Sequence, residues 1–305
     1  MASRSESTPT GIGIDHAGGI SEQESSGAAM RSRLGKLAIH LVVIVLCLLT
    51  IFPFFWMVST AFKQADEVFT KDLRLFPTSP TLKNFPNAFT YFPVAHWMWN
   101  SFGIAVLTTL GKVAISVPAA FAFSRLKFRG DKLLFAMVLA TMIVPGIVTV
   151  VPNYIMVSRL GWLNSWVGVI IPSLPATAFY VFLLRQSILT LPQDLLDAGR
   201  LDGASTIKLL WQIVMPNVRP AIAVVIILSF LGAWNQYLWP LLVLNDFNAK
   251  TLATGMQFFT ANAEAAQMWG PMMATATIAV LPPLVLYALA QKQIISTFVS
   301  SGFKG

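Results

Sequence analysis

Charge is scarce in this chain: only 11% of its 305 residues are Asp, Glu, Lys or Arg, while 55% are hydrophobic. A soluble domain carries roughly 25% charged residues, so this chain has too few charges to cover a surface that faces water. A mean hydropathy of +0.67 points the same way. The composition excludes an ordinary soluble protein and indicates a membrane protein.

Residue types that build catalytic and metal sites are also scarce. The chain has one cysteine, which allows no internal disulfide, and three histidines. It has no His/Cys/Asp spacing typical of a metal site, no G-x-S-x-G nucleophile turn and no G-x-x-x-x-G-K-[ST] phosphate loop. We therefore expect no metal, no catalytic residue and no cofactor bound by this chain. No basic domain suggests nucleic acid as a partner.

Long apolar runs are abundant instead. A helix of about 20 apolar residues crosses about 30 Å of hydrocarbon, and backbone groups in lipid must bond internally. The sequence therefore predicts an all-α, polytopic protein with six transmembrane helices, several of them kinked by proline. The predicted spans are residues 37–62, 102–123, 133–157, 166–184, 221–244 and 271–290.

Lys and Arg set the predicted orientation. If both termini are inside, the inner segments hold 14 of these residues and the outer loops 6. That bias fits the positive-inside rule, so we expect cytoplasmic N- and C-termini. Residues 1–30 have few large apolar side chains and are predicted to form a disordered cytoplasmic tail. Residues 31–305 are predicted to form the transmembrane domain.

One loop is unusually polar for such a chain. Residues 189–220, here called the coupling loop, predict two short helices around a tight turn. Gly203 suits the positive φ of the turn and Ser205 suits the cap of the second helix. Thr190 and Gln193 are spaced for a capping box before the first helix, and Pro216 is expected to stop the second. From these features alone, a docking surface and a plain cytoplasmic loop are equally compatible.

The coupling loop resembles the E-A-A motif of permease subunits of bacterial ABC importers, which continues with three residues, G, nine residues and I-x-L-P. Asp197 replaces the family's Glu and Gly199 its second Ala, so the shorter acid reaches less far toward an ATPase subunit. The resemblance implies that these residues dock an ATPase: Asp197, Ala198, Gly199, Asp202, Gly203, Ala204, Ile213 and Pro216.

Two further stretches carry the same resemblance over about residues 30–305. Residues 119–130, AAFAFSRLKFRG, are similar to the family's signature after the second span, and residues 234–242, WNQYLWPLL, to that of the fifth. The carbohydrate-uptake branch matches, and the wording is closer to permeases of glycerol-3-phosphate importers than to those of maltose importers. The resemblance implies the type I ABC importer permease fold.

The resemblance also implies partners. These are a second homologous permease, two ATP-binding subunits that hold ATP and Mg²⁺, an extracytoplasmic solute-binding protein and the lipid of the bacterial cytoplasmic membrane. The expected solute is glycerol-3-phosphate or a glycerophosphodiester, with a disaccharide or oligosaccharide as the alternative.

Four residues are candidates for the translocation path. Lys112 is the only charged residue within a predicted span, and such a charge costs about 2.5–3.5 kcal/mol unless it is paired or hydrated. It either attracts an anionic solute or bonds to carbonyls freed at a kink. Asn235, Gln236 and Tyr237 offer amides and an aromatic face to a hydroxylated solute, or they bond neighbouring helices to one another.

Residues 257–270 are predicted to face outside and resemble, by position, a permease loop that reaches into the binding protein. The candidate contacts are Gln257, Asn262, Glu264 and Trp269. The alternative is an exposed connector with Trp269 as an interface anchor.

Two other classes remain as alternatives, a secondary transporter and an intramembrane enzyme. The first usually needs carboxylates within the membrane, and no Asp or Glu lies in a predicted span. The second needs paired acids or a His/Ser set there. Co-purification with an ATPase subunit would separate all three classes.

Overall fold

Every regular element of the computed structural model is helical within the residues it describes, which are 18–70, 74–261 and 265–302. The all-α prediction is confirmed for those residues. The α-helices are α1 (Gly18–Ala61), α2 (Ala65–Val68), α3 (Asn84–Tyr91), α4 (Val94–Arg125), α5 (Asp131–Ala140), α6 (Val150–Arg159), α7 (Trp166–Ser173), α8 (Ala178–Leu189), α9 (Gln193–Leu201), α10 (Thr206–Lys208), α11 (Met215–Asn217), α12 (Arg219–Trp234), α13 (Leu238–Val243), α14 (Leu252–Gly255) and α15 (Ala265–Gly302).

The remaining helical turns are short. Three are 3₁₀ turns, Gly146–Thr149, Phe247–Ala249 and Met256–Phe259, and a π-helical turn, Leu209–Val214, joins α10 to α11.

Among the residues that the structure describes, three stretches are long and apolar enough to cross a membrane unbroken: Gly35–Ala61, Val94–Arg125 and Met268–Gln291. Two bent pairs raise the number to five if each is counted as one span. These are α7 with α8, bent by 51°, and Thr206–Asn217 with α12, bent by 83°. The six predicted spans are therefore not six continuous helices in the described residues.

The third predicted span, residues 133–157, departs furthest from a continuous helix. It consists of α5, a non-helical stretch ending at Pro145, a 3₁₀ turn and α6. Proline has no backbone N–H and disfavours the helical conformation of the residue before it, which accounts for the break. The bend between α7 and α8 follows the same logic, since Pro172 and Pro175 lie at it.

The chain divides into two units, the first ending at Trp56 and the second covering Met57–Gly305. The first consists, where it is described, of α1 up to that residue. The predicted tail, residues 1–30, is described only from Gly18 onward, where α1 begins. Its predicted disorder stays a prediction for the residues before that point.

Within the second unit, α4 is the central helix and packs against α8 and α12. One apolar core lies where the later part of α4 meets α8, α12 and the coupling loop. Phe121, Leu184, Leu196, Val214 and Val225 are all at most 3% exposed there. Leu196 and Val214 belong to the coupling loop, so this core packs the loop against α4, α8 and α12.

Candidate functional site

The tight turn of the coupling loop has the predicted geometry. Gly203 has φ +76°, a region that side chains other than glycine enter at a cost. A Cβ added to Gly203 would meet nothing within 4 Å, so glycine is required there for its φ rather than for space. The Ser205 hydroxyl accepts a 3.4 Å hydrogen bond from the Lys208 amide and caps the second helix, as predicted.

The predicted capping box does not form. The Thr190 hydroxyl donates instead to the Ser187 carbonyl at 2.8 Å, where it closes the end of α8. The Gln193 amide donates to Asp197 Oδ1 at 3.1 Å. The prediction was wrong because Thr190 bonds to α8 and Gln193 bonds within α9, so the two side chains do not bond to each other's backbone. The N-cap residue of α9 is Pro192, whose side chain makes no capping bond.

Pro216 also behaves differently from the prediction. It lies within α11, and the helix breaks at Val218 rather than at Pro216. The π-helical turn Leu209–Val214 comes directly before it. A π turn bonds each N–H one residue further back than an α turn, so the hydrogen-bond pattern is already altered where the proline lacks its N–H.

Arg125 anchors the coupling loop to the end of α4, a role that sequence reasoning missed. Its guanidinium donates to the carbonyls of Ile188 and Leu191 at 2.6 and 2.5 Å and to the Gln193 amide oxygen at 2.8 Å. The fork of a guanidinium matches several acceptors at once. Arg125 lay within a quoted family stretch, which was the only signal in the sequence.

The inner face of α9 is closely packed. Gly199 is buried, and a Cβ on it would stand 2.5 Å from Ile213 Cδ1 and 2.8 Å from Leu209 Cδ2. Ala204 and Ile213 are half-buried against the same core. These predicted residues pack the two helices of the loop together, and their part in docking an ATPase stays a prediction.

The outer face of the loop is polar with apolar residues at the turn. Asp197, Ala198 and Asp202 are exposed, and Asp197 pairs with Arg200 at 2.8 Å. Leu201 and Ile207, on either side of the turn, are 90% and 71% exposed. Outward-facing large apolar residues in a charged loop are typical of a surface that a partner covers.

Of the four path candidates, the structure brings two together. Lys112 and Gln236 line one cavity of about 180 Å³, here called the Lys112 cavity. Asn235 and Tyr237 are exposed residues of the break between α12 and α13, and neither is among the lining residues. Asn235 ends α12 as its C-cap.

The Lys112 ammonium lies beside an aromatic ring and makes no hydrogen bond within the described residues. Lys112 is half-buried midway along α4, and its ammonium lies 5.6 Å from the centre of the Tyr180 ring. Within the described residues it makes no hydrogen bond to the carbonyls near Pro118. The alternative of a structural lysine bonded at that kink therefore has no support.

The wall of the Lys112 cavity includes two residues that sequence reasoning missed, Asn153 and Ser173, and one, Trp239, that lay within the family stretch of residues 234–242. Asn153, Ser173 and Trp239 come from α6, α7 and α13. Trp239 is 7% exposed, and its buried Nε1 has no hydrogen-bond partner in the described chain. Their positions in the sequence are far apart, and only the proline breaks nearby hinted at a cavity.

The predicted outer loop is described in part. The Tyr237 hydroxyl donates to the Gln257 amide oxygen at 3.2 Å, which links the helix break to this loop. Trp269 is half-buried and packs edge-on against Phe69 with ring centres 5.8 Å apart. Asn262 and Glu264 lie outside the described residues.

A second set of bonds fixes the start of α4 to the segment after α13. Trp97 Nε1 donates to the Phe247 carbonyl at 2.9 Å, and the Asn100 amide donates to the Asn248 and Lys250 carbonyls at 2.8 and 3.0 Å. Burial lowers the pKa of Lys250, with Asp246 acting in the opposite direction. Its ammonium donates to the Leu244 carbonyl at 2.7 Å.

Residues 112–297 match the family model described as "Binding-protein-dependent transport system inner membrane component". The chain is 32% identical, over 86% of its length and 95% of the relative, to the sn-glycerol-3-phosphate transport system permease protein UgpE of Pectobacterium atrosepticum. It is 30% identical to the protein of the same name from Yersinia pestis, with the same coverage.

Two solved structures share the fold. A bacterial ABC transporter involved in the import of the acidic polysaccharide alginate matches with a TM-score of 0.75 at 20% identity, covering 86% of this chain and 97% of that one. A bacterial alginate ABC transporter in complex with an alginate pentasaccharide-bound periplasmic protein matches with a TM-score of 0.61 at 17% identity, covering 85% and 93%. At these identities the likeness concerns the fold alone.

Proposed function

The chain belongs to the binding-protein-dependent transport system inner membrane components and is a multi-pass permease subunit of an ABC importer, and from that premise we propose its solute and its partners. The proposed solute is sn-glycerol-3-phosphate or a glycerophosphodiester. The proposed path lies between this chain and a second, homologous permease. Both termini are placed in the cytoplasm on the Lys/Arg bias.

Energy enters this complex, on our proposal, through the coupling loop. The single observation that carries this assignment is the exposed pair Leu201 and Ile207 beside the Gly203 turn. Two ATP-binding subunits, one on each permease, would cover such a surface. Because the sequence has no phosphate loop, ATP and Mg²⁺ are assigned to those subunits and this chain is assigned no catalytic role.

Two facts support the choice of a phosphorylated glycerol. The relatives named above carry sn-glycerol-3-phosphate transport in their names, and Lys112 places a cation midway along α4. A disaccharide or oligosaccharide remains the alternative solute. The alginate transporters do not favour it, because their identity to this chain is too low to carry a solute.

A solute-binding protein outside the membrane is proposed to meet the loop that contains Gln257 and Trp269. Asn262 and Glu264, between them, are proposed contacts. Removing residues 261–266 is expected to leave basal ATP hydrolysis unchanged and to reduce uptake, because solute release from the binding protein would be impaired. Normal uptake at every solute concentration would show that the segment is only a connector.

The docking assignment is tested in the complex reconstituted with its ATPase and binding protein. Asp197→Lys reverses a charge on the exposed face and is expected to reduce solute-stimulated ATP hydrolysis about 10-fold or more, which is a coupling loss of at least about 1.4 kcal/mol. Asp197→Asn is the matched control, since an exposed ion pair contributes only about 0–1 kcal/mol. Full stimulated turnover of an assembled Asp197→Lys complex would refute docking through this face.

A further inference from the structure

The Lys112 cavity lies between the middle of the continuous helix α4 and three neighbouring segments that are broken or end there. Lys112 comes from α4, Thr149 and Asn153 from the 3₁₀ turn and α6, Ser173 from α7, and Gln236 and Trp239 from the break at α13. Irregular backbone at membrane depth is tolerated where it is buried in protein or lines a cavity that holds water. Membrane transporters commonly place solute sites at such broken helices.

The depth of Lys112 excludes a lipid headgroup as the occupant. At 1.5 Å per residue, Lys112 lies about 27 Å along α4 from Val94 and about 20 Å from Arg125. The hydrocarbon region is about 30 Å thick, so a residue that far from both helix ends is near its middle. An anion that reaches Lys112 must therefore enter the path and cannot remain attached to the membrane surface.

The hydrogen-bonding groups of the wall define what fits. An ammonium can only donate, and Lys112 has no hydrogen-bond partner within the described chain; its ammonium lies 5.6 Å from the centre of the Tyr180 ring. Trp239 Nε1 also lacks a partner there, but it is fully buried and is not counted among the groups that the cavity offers to a solute. The hydroxyls of Thr149 and Ser173 donate to the carbonyls of Gly146 and Val169 at 2.8 Å each. Their lone pairs remain available to accept from a solute hydroxyl.

The cavity thus offers a cationic donor and hydroxyl acceptors in one small space, with amides of Asn153 and Gln236 that can do either. Its volume of about 180 Å³ is well below the roughly 300–1,000 Å³ of pockets that hold drug-sized ligands. An oligosaccharide chain is too large for it, whereas a phosphate group with a few carbons and hydroxyls is not.

We propose that the Lys112 cavity binds the phosphate-bearing end of a small polyol phosphate during its passage, with Lys112 facing the phosphate and Gln236 and Asn153 facing its oxygens. This rests on the proposed function, since it specifies how that permease recognises its solute.

Occupancy can be measured without transport. Cys47 is the only cysteine, so the complex with Cys47→Ser and Ala176→Cys carries one thiol in this chain, in the cavity wall next to an intact Lys112. The probes are glycerol-3-phosphate, inorganic phosphate and glycerol, and the readout is the rate of modification by a neutral maleimide. We expect glycerol-3-phosphate to slow the reaction more than phosphate, glycerol to have no effect, and Lys112→Met to abolish protection.

An absence of protection by glycerol-3-phosphate would overturn the proposal, and so would equal protection by glycerol or protection that survives Lys112→Met. Equal protection by inorganic phosphate would overturn the assignment to the solute. Wild-type uptake separates the proposed function from the site: a complex that imports a disaccharide but not glycerol-3-phosphate refutes the proposed solute, whatever the labelling result.

A matched pair of substitutions tests the role in transport. Gln236→Glu and Asn235→Asp each replace an amide by a carboxylate on neighbouring residues, but only Gln236 lines the cavity. With the binding protein saturated, Gln236→Glu is expected to slow uptake of glycerol-3-phosphate about 10-fold or more because the carboxylate repels the phosphate, and Asn235→Asp to have little effect. Equal losses in the two variants would overturn the site.

Discussion

The coupling loop and the Lys112 cavity treat their polar groups in opposite ways. Where α4 meets the loop, the terminal nitrogens of Arg125 bond two carbonyls and an amide, although its buried Nε has no partner in the described residues, and Asp197 bonds Arg200 and Gln193. In the cavity, Lys112 and the Trp239 indole have no hydrogen-bond partner within the described residues. Bonds to the terminal nitrogens of Arg125 fix the shape of the loop, whereas a lysine without a hydrogen-bond partner inside a membrane protein is costly and is available to a solute.

The largest expected effect comes from removing the Arg125 guanidinium. Arg125→Met leaves the Ile188 and Leu191 carbonyls without their donor, and hydrogen bonds to charged groups contribute about 1.5–3 kcal/mol each. Because Arg125 is partly exposed, we expect a total loss of about 3 kcal/mol and faster proteolytic cleavage of the coupling loop. Arg125→Lys should restore only part of the loss, since an ammonium cannot reproduce the guanidinium fork. Unchanged thermal stability would show that the anchor is dispensable.

Removing the unsatisfied cation should have the opposite sign. Lys112→Met keeps the length of the side chain and removes a charge whose insertion at mid-membrane costs about 2.5–3.5 kcal/mol. We expect the thermal unfolding midpoint of the detergent-solubilised complex to rise, by an amount equivalent to about 1–3 kcal/mol, while uptake of a phosphorylated solute falls. A lower midpoint, with uptake of all solutes reduced alike, would mean that Lys112 has a structural role. The Lys112 cavity would then not differ from the coupling loop in the way proposed.

The smallest effect on stability is expected at the turn. Gly203→Val places a β-branched residue at φ +76°, which costs about 1–2 kcal/mol, with no steric conflict at the Cβ. Gly203→Asn is the control, since asparagine tolerates this region better. We expect valine to reduce solute-stimulated ATP hydrolysis and asparagine to retain most of it. Equal activity of the two variants would show that the φ of the turn is not needed for coupling.

The loop was largely predictable from sequence because its signals are local. Gly203 and Ser205 act within three or four residues of themselves, and their roles are confirmed. The errors, at Thr190 and Pro216, arose where a second local partner or a π turn competed with the expected pattern. Neither the alternative partner of Thr190 nor the π turn before Pro216 can be predicted from the identity of single residues.

The cavity was predictable only in part because its residues come from distant segments. Lys112 stood out as a charge in an apolar run and Gln236 as an amide in another. Trp239 lay within the family stretch of residues 234–242, but Asn153 and Ser173 carried no signal, since an isolated polar residue near a proline is ordinary in a membrane helix. Only the packing of α4 with α7 and the neighbouring breaks brings them to one place.

The single helix α4 connects the segment after α13, the Lys112 cavity and the coupling loop. It spans 32 residues, about 48 Å at 1.5 Å per residue. Asn100 is tied to the outer segment at one end, Arg125 is tied to the coupling loop at the other, and Lys112 lies between. Pro118 removes one rung of the helix hydrogen bonds between Lys112 and Arg125, so flexing is concentrated there. If the coupling loop docks an ATPase and the Lys112 cavity binds an anion, as proposed, a displacement of the loop would bend α4 at Pro118 and shift the Lys112 ammonium relative to the cavity wall. A load on the loop would then change the affinity of the cavity for the anion.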